Sequence, residues 1–72
     1  MAIIIGHGML QKYSRQIELK QPESLKAVLN QLTIPESMYD YIIFIRQHEK
    51  LEDDSIINND DEIHLFMITF GG

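Results

Sequence analysis

Apolar and polar positions along this chain change period several times, and each change marks an element. Ile3-Ile4-Ile5 sets three β-branched residues in a row and predicts a strand at once. Gly6-His7-Gly8 interrupts it, as glycines do at a bulge or a close backbone approach. The mixed segment 9–14 is expected to hold a hairpin turn. Residues 16–20 then alternate strictly, with Ile17 and Leu19 on one face and Gln16, Glu18 and Lys20 on the other. That predicts a half-buried second strand, antiparallel to the first. At Leu25 the period becomes helical: Leu25, Val28, Leu29 and Leu32 fall at i, i+3, i+4 and i+7, one apolar stripe. Ser24 is placed as its N-cap, Glu23 adds negative charge at the positive end of the helix, and Ile34-Pro35 stops it.

Residues 36–40 fit a short helical turn or an extended lead-in. Residues 41–45 form a continuous apolar run, which predicts a strand covered on both faces. A polar turn at 47–50 follows, then Leu51, an acidic loop at 52–55, the short apolar pair Ile56-Ile57 and a turn at 58–61. The last strand follows that turn. The order is β-β-α-β-(short β)-β, without repeats or low-complexity segments. It predicts one α+β domain over residues 1–72, a mixed sheet of four to five strands crossed by one main helix.

The last strand carries two distinct faces. Ile63, Leu65 and Met67 share one, suited to packing under the helix. Glu62, His64, Phe66, Ile68 and Phe70 share the other, which starts polar and turns apolar. An apolar stripe of that kind either lies under a loop, or is displaced by a bulge, or docks a partner. The docking reading assigns partner contacts to Phe66, Ile68 and His64.

Composition narrows the classes. Net charge is −5, which argues against nucleic acid, whose binding draws on phosphate-neutralising Lys and Arg. The apolar runs are too short to span a bilayer, and 1–3 lack the charged start of a signal peptide. With no cysteine there is no disulfide or thiolate-metal staple. The expectation is a small cytoplasmic domain, monomeric when free.

The last four residues are Thr69, Phe70, Gly71 and Gly72. An unanchored small-residue tail is common at a chain end. It also has a chemical use, because a tail without side chains threads a narrow channel where another backbone comes close. Such a tail can bring the Gly72 carboxylate to the α-phosphate of an ATP held by another enzyme. The acyl adenylate formed there is open to sulfur or amine nucleophiles.

With those residues in view, the chain resembles the ThiS/MoaD sulfur-carrier family of ubiquitin-like β-grasp proteins over nearly all its length. The features that carry the resemblance are the β-β-α order, the Leu25/Val28/Leu29/Leu32 stripe, the turn Asn59-Asp60-Asp61-Glu62-Ile63, and Gly71-Gly72. In that family the turn usually reads Asp-Gly-Asp-Glu-Val, so Asp60 stands where glycine is expected, and Gln47-His48 replaces a common Asn-Gly hairpin. Asp and His tolerate left-handed backbone better than most residues. The resemblance implies a β-grasp with a flexible tail, residues 69–72, that threads a partner's active site through Thr69, Phe70 and Gly71. It implies a carrier, not an enzyme, with no bound cofactor. Gly72 would be adenylated by a ubiquitin-activating-like adenylyltransferase at the cost of ATP. It would then become a thiocarboxylate with sulfur from a cysteine desulfurase or similar donor. The acceptor would be a thiazole synthase, for thiamine, or the large subunit of molybdopterin synthase. The spacing from Leu65-Phe66 to Gly71-Gly72 is similar to the thiamine branch, and the long first hairpin to the molybdopterin branch; the thiamine branch is taken first. A protein modifier conjugated through Gly72, or a non-covalent interaction module, uses the same features.

Other constellations are weaker. His7, His48 and His64 lie in three separate elements without metal-ligand spacing and are expected to be solvated or hydrogen-bonded. The acidic runs 52–54 and 60–62 lack calcium-loop spacing; they suit a solvated surface or steering toward a basic partner. Tyr39 and Tyr41 suit packing, and no serine has a nucleophile's neighbours.

Overall fold

A computed structural model describes residues 1–68. Among these residues seven strands and one α-helix follow in order: β1 (Ala2–Gly6), β2 (Arg15–Ile17), β3 (Glu23–Ser24), α1 (Leu25–Gln31), β4 (Ile42–Arg46), β5 (Glu49–Lys50), β6 (Ile56–Ile57) and β7 (Glu62–Met67). Two 3-10 helices, Gly8–Tyr13 and Glu36–Tyr41, complete the elements. The main sheet is mixed, with strand order β2-β1-β7-β4-β5, and β3 pairs with β6 in a separate ribbon. β1 runs parallel to β7 at its centre, Ile4 opposite Ile63 and Ile5 opposite His64. β4 flanks β7 antiparallel on the other side, Phe44 opposite Leu65 and Ile43 opposite Phe66.

The helix begins where its orphan N–H groups find acceptors. The Ser24 hydroxyl accepts from Ala27 N, while Leu25 N and Lys26 N donate to the carbonyls of Ser55 and Asp53. Thr33, with φ 59°, takes the left-handed conformation just past the helix end. All four stripe residues are buried, together with Ile4, Phe44, Ile57, Ile63 and Leu65. This α+β core accords with the alternation and the stripe.

Several expectations need correction. Residues 9–14 hold a 3-10 helix rather than a hairpin turn, and Leu10 within it is fully buried. The reason is Gly6: a Cβ there would stand 1.8 Å from the Leu10 carbonyl oxygen, so only glycine lets this segment lie against β1. The second strand ends at Ile17. Leu19 stays buried because its N–H leaves the ladder and donates to Asn59 Oδ1 at 2.8 Å. The apolar run 41–45 is not covered on both faces. β4 starts at Ile42 and alternates, Ile42 and Phe44 buried, Ile43 and Ile45 only half-buried. The β4–β5 hairpin does turn through two left-handed residues, Gln47 (φ 51°) and His48 (φ 72°). Asp60 has no positive φ, so its position never required a glycine. No helix among the described residues is long and apolar enough to cross a membrane.

Candidate functional site

Pleating sends alternate residues of the central strands to opposite sides. One side meets α1. On the other side lie Ile3 and Ile5 of β1, Ile43 and Ile45 of β4, and Glu62, His64 and Phe66 of β7, all half-buried or exposed. His64 sits at the middle of this open face, opposite Ile5 on one flank and Ile45 on the other. Phe66 is 40% exposed. Both stand on the face assigned to partner contact, and no bulge displaces them. Ile68, just beyond β7, is half-buried, and its N–H donates to the Tyr41 carbonyl at 2.8 Å. Thr69, Phe70, Gly71 and Gly72 lie outside the described residues.

The register brings His7 to this face. Its N–H continues the β1–β7 ladder by donating to the Leu65 carbonyl at 3.0 Å. Its ring lies parallel to Phe66, centroids 4.4 Å apart and planes 2° apart, so the first loop partly covers the phenylalanine. His7 Nε2 stands 2.9 Å from His64 Nδ1, and His64 Nε2 stands 2.9 Å from Glu62 Oε2. A carboxylate only accepts, so His64 donates from Nε2; in the neutral ring its Nδ1 then accepts from His7 Nε2–H. The chain His7→His64→Glu62 therefore runs in one direction and ends on a negative charge. The i, i+2 placement of Glu62, His64 and Phe66 could be read from alternation. His7 could not be placed with them, because that requires the parallel register.

Beside this chain the face dips into a concavity of about 520 Å³. Ile45 and Phe66 supply its apolar lining, and the β4–β5 turn residues Gln47 and His48 bound one end. Arg46, Asp60, Asp61, Glu62 and His64 supply the polar lining. Arg46 is tied down inside the protein. Its Nη1 donates to Asp61 Oδ2 (2.9 Å) and to the Ile56 carbonyl (2.8 Å), and its Nη2 donates to Glu49 Oε1 (3.0 Å). The Arg46 and Asp61 side chains are only 21% and 19% exposed. The Glu49 hydrogen bond, and then that of Asp61, outweigh partial burial and raise the guanidinium above its ordinary value. Asp61 Oδ2 also accepts from Asn58 N, which closes the turn before β7. Arg46 thus binds β4, β5, β6 and that turn together.

No family model matches the chain, and neither does any curated protein or solved structure. Among the described residues, no group of three or more His, Cys, Asp or Glu is arranged to hold a metal ion. The arrangement instead offers a half-apolar sheet face, a directed imidazole pair at its centre and an acidic hollow at its edge. A half-apolar face of this kind offers contact area to another molecule.

Proposed function

We propose that this chain is a ubiquitin-like β-grasp domain that works as a sulfur carrier through the carboxylate of Gly72. The observation that carries the reading is the position of β7. The strand that leads to Gly71-Gly72 is central in the sheet, between β1 and β4, with its His64 and Phe66 on the open face. A partner seated on that face gains binding energy remote from the tail and can spend it on placing the tail in its own active site.

The chemistry belongs to the partner enzyme. A Gly72 carboxylate oxygen attacks the α-phosphate of ATP; a new P–O bond forms and pyrophosphate leaves. Hydrogen sulfide ion then attacks the acyl carbon, the bond to AMP breaks, and a thiocarboxylate, AMP and a proton result. Thiazole formation is the acceptor reaction we place first, molybdopterin formation the second. The segment Gly8–Tyr13, anchored by the buried Leu10, is a longer first connection than a tight hairpin needs, the feature aligned with the second.

Intact-mass measurement tests this reading. The chain is incubated with an activating enzyme of the ubiquitin-activating type, ATP and sulfide, and the mass increment for oxygen replaced by sulfur should fall on Gly72. The same spectrum reports whether Gly72 ends the chain. No increment, or full activity after deletion of Gly72, refutes it. The open face also favours a second reading, a non-covalent interaction module. That reading predicts unchanged function when a residue is appended after Gly72.

A further inference from the structure

The hollow beside His64 is short of positive charge. Asp60, Asp61 and Glu62 line it against the single guanidinium of Arg46, and Arg46 is already shared with Glu49 outside the lining. The Asp60 side chain has no hydrogen bond or ion pair among the described residues, and Glu62 uses one carboxylate oxygen, Oε2, on His64. Two carboxylates, those of Asp60 and Glu62, therefore have open oxygens at the edge of an apolar surface formed by Ile45 and Phe66. Among the described residues no group of three or more His, Cys, Asp or Glu is arranged to hold a metal ion. A cation with a flat, weakly hydrated head and an aliphatic stem satisfies both parts. Its stem covers Ile45, its plane lies against the Phe66 ring, and its N–H groups meet the carboxylates in pairs.

We propose that this hollow receives an arginine side chain presented by the protein that docks on the open face. The hollow is continuous with the row Ile43, Ile45 and Phe66, so a surface covering that row brings a side chain to it. Charge complementarity selects the basic residue, since the chain as a whole carries −5. Arginine is favoured over lysine because a compact ammonium gains neither the stacking on Phe66 nor paired donors. Glu62 is held for the task by His64, which is in turn held by His7; the imidazole pair is a positioning device for that carboxylate. The inference rests on the open face being a docking surface and is independent of the chemistry at Gly72.

The test is a nitrogen-15 NMR titration of the full chain with acetyl-Leu-Arg-Leu-amide, with glutamine and lysine versions as controls. The expected result is a saturable shift of the backbone amides of residues 45–48 and 60–66 with the arginine peptide. The double variant Asp60→Asn, Glu62→Gln should bind about tenfold more weakly. Both residues are exposed, so the variant retains the fold, which its own spectrum reports. Equal shifts with glutamine or lysine, shifts centred elsewhere, an unaffected double variant or no shifts at all each overturn the proposal. A chain that forms the thiocarboxylate yet ignores the peptide overturns this inference alone. Peptide binding without the mass increment overturns the carrier reading alone.

Discussion

Replacing Gly6 by alanine adds one methyl group where there is no room for it. The added Cβ would lie 1.8 Å from the Leu10 carbonyl oxygen, 2.5 Å from its carbon and 3.2 Å from Gln11 N. The obstructing atoms are backbone, so no side-chain rotation relieves the contact. The segment Gly8–Tyr13 has to retreat until the nearest distance is at least 3.0 Å. That retreat draws Leu10, now 0% exposed, out of the core and strains two hydrogen bonds, Gly6 N to Ser14 Oγ (2.8 Å) and Leu10 N to the His7 carbonyl (3.0 Å). Overpacking costs about 1–3 kcal/mol, and loss of a buried leucine about 2–5. Partial loss of Leu10 thus puts the substitution near 3 kcal/mol, to the order of magnitude. A domain of this length holds about 4–11 kcal/mol in all, so much of its stability is at stake.

Gly8 is the control. Its φ of +60° is left-handed, but a Cβ there meets nothing within 4 Å. Gly8→Ala carries only backbone strain of about 1–2 kcal/mol, partly offset by the stiffer unfolded chain. Urea unfolding followed by circular dichroism should therefore rank wild type, Gly8→Ala and Gly6→Ala in falling order. The midpoint of Gly6→Ala should be far below the other two. Imidazole nitrogen resonances should also show His7 parted from His64. Gly6→Ala within about 1 kcal/mol of wild type would refute the reasoning, since it would mean the segment moves aside freely.

Phe66→Ala should cost about 1–2 kcal/mol, the partly buried ring and its stacking on His7, while Phe44→Ala, 6% exposed, should cost about 3–5. A core-sized loss at Phe66 in urea unfolding would remove it from the docking face. Tyr39 is raised above its ordinary value of 10.0 by burial first, then by Glu36 and Asp53. Its neutral form is favoured in the fold, so its contribution is present below about pH 10 and lost as pH rises through the raised value. Unfolding midpoints between about pH 9 and pH 11 should fall less steeply in Tyr39→Phe; an unchanged slope rejects the assignment.

Local periodicity carried much of this fold, and its failures have physical causes. The helix stripe and the faces of β7 appear as expected, because each is set by residues a few positions apart. The bare side of β4 was not readable. A continuous run such as Ile42-Ile43-Phe44-Ile45 has no alternation to report, and whether a second layer covers it depends on the rest of the chain. The Gly8–Tyr13 helix was missed because its cause is a contact between Gly6 and a carbonyl four residues on. β5, the β3–β6 ribbon and the Arg46 ties are long-range or only two residues long. Of the site, Glu62, His64 and Phe66 could be grouped from sequence, whereas His7 and the acidic hollow required the packing of separate loops.

The parallel pairing of β1 with β7 has a consequence for how the chain must be made. The first strand finds its central partner only in the last, Ile3 against Glu62. Until β7 emerges, the β1–β2 pair and the β4–β5 hairpin have no strand to join them. Closing a loop of that length costs about 3–4 kcal/mol of chain entropy before any contact repays it. Folding is thus completed only after β7 has been made, at moderate speed for so small a domain. A nascent chain cut short before Glu62 should be degraded rather than accumulate. A protein that displays Gly71-Gly72 has, by that fact, already made the strand that closes its sheet.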